Sequence, residues 1–284
     1  MYDQIIKIGN STVQHGSNNN RVYLMKLHKR DFPNIIADLF SLANKHTYSK
    51  IFVKVPQWAA EAFEEKGFYN EAVIPGFYDG SEDVCFLSCY LTDERKQVSP
   101  EDHSIIKNNI DLALSKQNQS SIGNRPPDVI INVLDKTDAK PLTELYKKVF
   151  DCYPFPVFEE EYIQATMEEN IVYFGAWVND RLIAASSAEM DIEGKNAEMT
   201  DFATDPEFLG QNLSLFLLYQ MEKEMRNRDF KTLYTIARSF SAGMNITFAK
   251  SSYNFAGTLI NNTYISTKIE SMNVWYKNIY QQIR

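Results

Sequence analysis

The stretch "MTDFATDPEFLGQNLSLFLLYQMEKEMR", residues 199–226, decides how this chain folds. It opens as a strand, passes through a tight connection and enters a helical pattern that runs from Leu213 to about Arg228. Leu213, Leu217, Met221 and Met225 recur there at four-residue intervals with the charges opposite. A strand feeding a helix through a short turn leaves backbone N–H groups unpaired, and the helix dipole adds partial positive charge at that end. Such a turn can hold a pyrophosphate. Phosphate-binding turns commonly use glycines for close backbone approach, whereas "LGQNLS" has only Gly210. Asn212, which tolerates left-handed backbone, and Ser214, which adds little bulk, are the substitutes. An ordinary helix cap at Asn212 is the alternative reading.

Upstream of this stretch, "VIINVLD" reads as a strand, followed by two helical patterns, "DAKPLTELYKKVF" and "FEEEYIQATMEEN", joined by the aromatic, proline-containing "DCYPFPV". The segment "IVYFGAWVNDRLIAASSAEMDIEGKNAEMTDFAT" yields three strands, with Asn179-Asp180 and Glu193-Gly194-Lys195-Asn196 as turns. Downstream, "KTLYTIA" is a strand, "SAGMNITFAKSS" a helix, and "AGTLIN" and "MNVWYK" are closing strands. The order from residue 129 is β, α, α, β, β, β, α, β, α, β, β.

Residues 116–128, "KQNQSSIGNRPPD", are polar, carry a glycine and a proline pair, and read as a linker. The division is a first unit over 1–118, a linker over 119–128 and a second unit over 129–284. Ahead of the linker, Ser99 caps a helix with Pro100 at its first position and Ile106, Ile110 and Leu114 on one face, closing the first unit. The first unit repeats helix, strand, helix, strand, strand about 180 residues earlier than the second. Its start, "IIKIGNSTVQHGSNNNRVYLMKL", is expected to be a hairpin, standing where a duplicated copy lost its front half.

At 284 residues with 44% hydrophobic and 13% aromatic content, the chain can bury ample core, and the length suits two units. No apolar run reaches the length of a membrane span, and "MYDQIIKIGN" has no secretory or transit signature, which places the protein in the cytoplasm without membrane contact. A net charge of −8 with no dense basic cluster argues against nucleic acid. Three cysteines without a CxxC support neither a disulfide framework nor a zinc site, and all four histidines lie in the first 103 residues. The second unit must therefore work with carboxylates, tyrosines and backbone, and no metal is expected.

From residue 129 the order of elements resembles the GNAT superfamily of acyl-CoA-dependent N-acetyltransferases. "NAEMTDFATDPEF" looks like the family's fourth strand and the entry to its loop. "LGQNLS" aligns with the Gln/Arg-x-x-Gly-x-Gly/Ala loop, keeping neither the leading residue nor either glycine of that pattern. "AFEEKGF" and "GFYNEAVIPGFYDGSEDVCFLSCYL" in the first unit are similar to the end of a GNAT unit. The resemblance implies an α/β (α+β) GNAT fold, a mixed twisted central sheet flanked by helices, preceded by a smaller degenerate GNAT-like unit. A closer resemblance covers nearly the whole chain: "KIGNSTVQHGSNNNRVYLMKL", "EMTDFATDPEFLGQNLS", "GMNITFAKSSY" and "GTLINNTYISTKIESMNVWYK" look like the beta-lysine N-acetyltransferases. That similarity implies transfer of acetyl from acetyl-CoA to the terminal amine of beta-lysine, giving a compatible solute. Another small amine or polyamine as acceptor, or a non-catalytic acyl-CoA-binding protein, are the competing readings.

The resemblance also distributes roles. An alkyl ammonium with pKa about 10.4 leaves only roughly one molecule in two thousand nucleophilic at neutral pH, so a base is required. Glu198 occupies the position of the family's carboxylate, with Asp201 second. Strand alternation sets Glu198 and Thr200 on one face and Asp201 on the other unless a bulge intervenes. Phe202, Ala203 and Thr204 are expected to pair with the pantetheine arm, a backbone N–H near Phe202 or Ala203 to meet the thioester oxygen, and Leu209, Gly210, Gln211, Asn212, Leu213 and Ser214 to cup the diphosphate. Asn245 lies near a cofactor-contacting asparagine of the family, three residues out of register. Phe248 stands where the family often has an acidic tyrosine; Tyr253 reads better as core, and the acid is left unassigned. Tyr153 and Phe155 are candidates for the acceptor's aliphatic stem, and Arg238 for its carboxylate, against a surface ion pair. The first unit is open to roles as lid, support or dimer contact, so a homodimer stays among the readings.

Overall fold

The structure, a computed structural model, describes residues 2–119, 123–265 and 267–280. In chain order it comprises β1 (Gln4–Ile8), β2 (Ser11–Gly16), β3 (Arg21–Lys26), α1 (Ile35–Lys45), β4 (Lys50–Pro56), α2 (Gln57–Glu64), β5 (Tyr69–Tyr78), β6 (Glu82–Tyr90), a single turn α3 (Asp93–Lys96) and α4 (Pro100–Ser115). The second half follows with β7 (Ile130–Val133), α5 (Ala139–Val149), α6 (Glu160–Glu168), β8 (Ile171–Val178), β9 (Arg181–Asp191), β10 (Asn196–Thr204), α7 (Leu213–Asn227), β11 (Thr232–Arg238), α8 (Ala242–Lys250), β12 (Asn254–Ile265) and β13 (Lys268–Asn278). Residues 120–122 of the expected linker lie outside the described residues.

All thirteen strands join one sheet in the order β1-β2-β3-β4-β6-β5-β12-β13-β11-β10-β9-β8-β7. Read outward from the β5–β12 join, the two halves mirror each other. Each has a hairpin, then a strand, then a parallel neighbour (β3 with β4, β10 with β11), then an antiparallel meander. The start of the chain is thus not a hairpin but a three-stranded meander, β1-β2-β3, corresponding to β8-β9-β10. Gly9-Asn10, a two-residue turn between Ile8 and Ser11 with little contrast in composition to its flanks, divides the expected first strand into β1 and β2.

The halves meet through Gly257 paired with Ala72. A Cβ at Gly257 would fall 1.9 Å from the Glu71 carbonyl oxygen, so glycine is what lets the two backbones approach. The expected helical stripe of α7 is buried in full, Leu213, Leu217, Met221 and Met225 each at 2% exposure or less. In α4 the stripe differs from expectation. Ile106 and Ala113 are buried while Leu114 is 40% exposed. The helix reaches over to the second half, where Asn109 Nδ2 donates to the Ser239 carbonyl at 2.9 Å and Ala113 joins the core beneath α7.

Candidate active site

Strands β10 and β11 pair only over Asn196–Glu198 with Thr232–Tyr234; beyond this β10 stays with β9 and β11 with β13. The two strands therefore part next to Glu198. Between Thr200 and Ala203 the β9–β10 register shifts, and Asp201 sits at φ 55°. Aspartate accepts that left-handed backbone more readily than most residues. The bulge overturns the simple alternation: Glu198, Thr200 and Asp201 all line one cavity of about 360 Å³.

The cavity wall is shared. Tyr153 and Phe155 from the segment between α5 and α6, Glu189 from β9, and Arg21, Tyr23, Phe52 and Lys54 from the first half contribute to it. Asp201 is held by three hydroxyls. Tyr153 donates to Oδ1, Ser187 to Oδ2, and Thr200 Oγ1 approaches Oδ1 at 3.4 Å. Burial pushes the Asp201 carboxyl up, and these hydrogen bonds pull against that shift. Glu198 is pushed up to about 7, first by burial and then by the charge of Glu189, with Lys54 and a hydrogen bond from Tyr234 opposing. Glu189 is itself raised by burial. Lys54 Nζ donates to the Tyr234 hydroxyl at 3.1 Å, so the one lysine of the wall is tied back beside the carboxylates.

The connection to α7 is built as a cup. Asp205, 2% exposed, accepts from Lys148 and Arg181 and from the Glu207 amide, which anchors the turn. Gly210 follows at φ +83° and Asn212 at φ 57°, ψ 27°, both left-handed. The Asn212 side chain makes no capping hydrogen bond, so the residue acts through its backbone and not as an ordinary cap. Leu209, Gly210, Gln211 and Asn212 are exposed and the first turn of α7 has no acidic residue. The amides of Leu213 and Ser214 sit where helix geometry supplies no acceptor. This arrangement of open backbone donors fits a diphosphate with two of the usual glycines replaced. Leu213 is 2% exposed and its side chain packs in the core, so it offers no side-chain contact to the turn.

Other expectations are corrected. Asn245 is fully buried; its Nδ2 donates to the carbonyls of Arg238 and Ser241, and its Oδ1 accepts from Asn273 and Trp275. Its hydrogen-bonding capacity is spent on tying α8 to β11 and β13, which leaves its side chain no polar atom free to offer a cofactor. Arg238 forms a two-pronged ion pair with Glu270, at 2.8 and 3.0 Å, and does not line the cavity. Tyr253 is buried against Phe248, which in turn meets Phe202 edge-on, so it is core as expected. Among the described residues no group of His, Cys, Asp or Glu is placed to hold a metal, and no helix is long and apolar enough to cross a membrane.

Glu189 was missed, although the turn at Glu193–Asn196 implies its pairing opposite Glu198 once the register is counted. Lys54, Tyr23 and Arg21 were missed because they come from the other half of the sheet. A lysine inside the apolar run "KIFVKV" was the available signal.

Parted strands beside a carboxylate-lined cavity, with a left-handed turn leading into α7, are the arrangement expected of an acyl-CoA-dependent N-acetyltransferase, and the comparisons give that class. The acetyltransferase (GNAT) family model matches residues 141–243. The chain is similar over its length to the beta-lysine N(6)-acetyltransferase of Methanococcus maripaludis, 39% identical over 97% of this chain and 98% of that protein. It is 33% identical to the N-acetyltransferase YodP of Bacillus subtilis over 95% of this chain and 96% of that protein. With the beta-lysine N(6)-acetyltransferase of Methanosarcina mazei it shares 30% identity over 86% of this chain and 96% of that protein. The chain belongs to the GNAT acetyltransferase family, in the branch it shares with these full-length relatives.

Proposed function

We propose that this enzyme acetylates the terminal amine of beta-lysine by direct attack of that amine on acetyl-CoA, with the C–N bond replacing the C–S bond, CoA leaving as its thiolate and the proton shed by the acylated nitrogen ending on that sulfur through water. Two relatives carry that activity in their names, and one observation supports it independently: Glu189, Glu198 and Asp201 converge on a single cavity where β10 leaves β11. Acetyl-CoA supplies an electrophilic thioester carbonyl when bound. Glu198, with a carboxyl near 7, takes the proton from the incoming ammonium, since a base works best near the operating pH. Asp201, fixed by Tyr153, Ser187 and Thr200, holds that ammonium against the cavity wall, and Tyr153 and Phe155 flank its stem. Residues 202–204 offer the edge of β10 that β11 has abandoned to the pantetheine arm, and a backbone N–H near Phe202 or Ala203 stabilises the developing oxyanion. Residues 209–214 hold the diphosphate. The first half is a shortened second copy of the same unit, a reading that the mirrored strand order supports, and it works as a wall of the acceptor cavity.

The test is to mix the purified protein with acetyl-CoA and beta-lysine and follow free thiol and product mass, beside lysine, spermidine and a lysine-containing peptide. The expected result is a kcat/KM for beta-lysine at least tenfold above any other acceptor. A preference for spermidine or peptide would overturn the acceptor assignment, and no turnover on any amine would overturn the activity.

A further inference from the structure

The cavity has a second pole. Opposite in character to the carboxylates, Arg21 is 5% exposed and forms no ion pair within 4 Å among the described residues. Its Nη1 is committed to the first-to-second-half junction, donating to the Asn262 carbonyl at 2.5 Å and to Thr263 Oγ1 at 3.3 Å. The other edge of the guanidinium is buried and under-bonded. Nη2 has only Gln14 Oε1 at 3.5 Å, and Nε has no partner. Two further buried polar atoms on this wall lack partners, Gln14 Nε2 and Asn262 Oδ1. Buried polar groups are normally satisfied, so three orphans on residues that line one cavity call for a partner that a small turn of these side chains would bring into reach.

The surrounding charge points the same way. Arg95, 5% exposed, bonds only to carbonyl and hydroxyl oxygens, at 2.7 to 3.4 Å. Lys50, fully buried, reaches the one close carboxylate, Glu71, at 3.5 Å. Arg21 and Arg95 are each brought down to about 10 by burial, and each of Lys50 and Arg95 feels the charge of Arg21; Asp3 and Tyr23 act on Arg21 in the opposite sense. Burial brings Lys50 down to about 7, so the buried positive charge without a carboxylate within 4 Å among the described residues is that of Arg21 and Arg95.

From these groups we infer that Arg21, with Gln14 and Asn262, is the headgroup site for an amino-acid acceptor, and so sets the substrate class as amino acids bearing a distal amine. The Nε–Nη2 edge is the fork that matches a carboxylate with two parallel hydrogen bonds. Gln14 Nε2 adds a third donor, and Asn262 Oδ1 accepts from the ammonium that neighbours the carboxylate. The stem lies against Tyr23 and Phe52, whose rings stand 5.1 and 5.7 Å from the guanidinium carbon. Tyr23 also feels Glu198 and Glu189, which places it between the poles. A distal ammonium then meets Glu198 and Asp201. A polyamine has nothing to offer Arg21 and leaves that charge buried and unpaired, which is the repulsive element that selectivity needs. The assignment rests on the acetyltransferase reading of the cavity and goes beyond it in placing recognition on the first half.

Acceptors that differ only at the headgroup test it: beta-lysine, its C-terminal amide and the decarboxylated diamine, each with acetyl-CoA and the full-length protein. The parent is expected to favour the acid over both by about 30-fold or more in kcat/KM, expressed chiefly in KM. In Arg21→Gln the acid-to-amide ratio collapses toward one, and Arg21→Lys restores part of it. If Arg21 is only a tether between the halves, the variants depress acid and amide alike, and the inference is overturned. Equal rates for acid and amide with the parent protein overturn it without any variant. If no amine is turned over, the proposed activity fails on its own. Calorimetry in the presence of CoA then decides the headgroup site: binding of the acid but not the amide upholds it, and equal affinities overturn it.

Discussion

Glu198 on β10 pairs in register with Glu189 on β9, which sets two carboxylates side by side on the cavity face of one ladder. Like charges directly opposite destabilise a sheet, and here the second charge helps raise Glu198. The pair is a cost in folding, and the proposed role of Glu198 as base gives that cost a use.

The pH profile follows from that pairing. A base must be deprotonated to act, so kcat/KM for the acceptor should rise about tenfold per pH unit below about 7 and flatten above it. Glu198→Gln should lower kcat by roughly 10²- to 10⁴-fold and erase this limb. A variant whose rate matches the parent from pH 7 to 9 would shift the role of base to Asp201.

Stability should move the other way. Because the folded carboxyl lies above its unfolded value of 4.5, folding favours the protonated form. Its contribution is present in full below about 4.5 and is lost as pH rises through about 7. Glu198→Gln, neutral at every pH, should therefore melt roughly 2–4 °C above the parent at pH 8, with the gap closing toward pH 5. Scanning calorimetry at the two pH values checks the sign.

Asn212 carries the left-handed turn through its backbone and not its side chain. Asn212→Gly should leave CoA affinity within about threefold, whereas Asn212→Ile, β-branched at φ 57°, should weaken it about tenfold or more. Titration calorimetry with CoA measures both; equal affinities for the two variants would remove the loop from the binding site.

Gly257 controls the join. Gly257→Ala drives a Cβ into the Glu71 carbonyl at φ +153° and should cost about 2–4 kcal/mol in denaturant unfolding. Since both halves wall the cavity, KM for the amine should rise more than KM for acetyl-CoA. An unchanged unfolding midpoint would mean that the β5–β12 contact contributes little.

Much of the second half was legible because its signals are local. The stripe of α7 and the three strands ahead of it follow from periodicity, and the cup follows from a strand running into a helix with left-handed-tolerant residues between. The first three strands were read as two because a short turn leaves little contrast in composition. Asn245 and Arg238 looked like ligands because residue type reports what a side chain can do and not which neighbour has already taken it.

The residues of this chain by themselves determined most of the elements, which rest on spacing along the backbone, while the choice of Glu198 came with the resemblance to an acetyltransferase and not from spacing. Only the tertiary structure decided that Asp201 turns onto the same face, that Glu189 stands opposite Glu198, and that Arg21 shares their cavity. The reason is physical: a bulge rotates a side chain without altering the sequence pattern, and Arg21 and Asn262, 241 residues apart in the chain, meet only when two half-sheets close edge to edge.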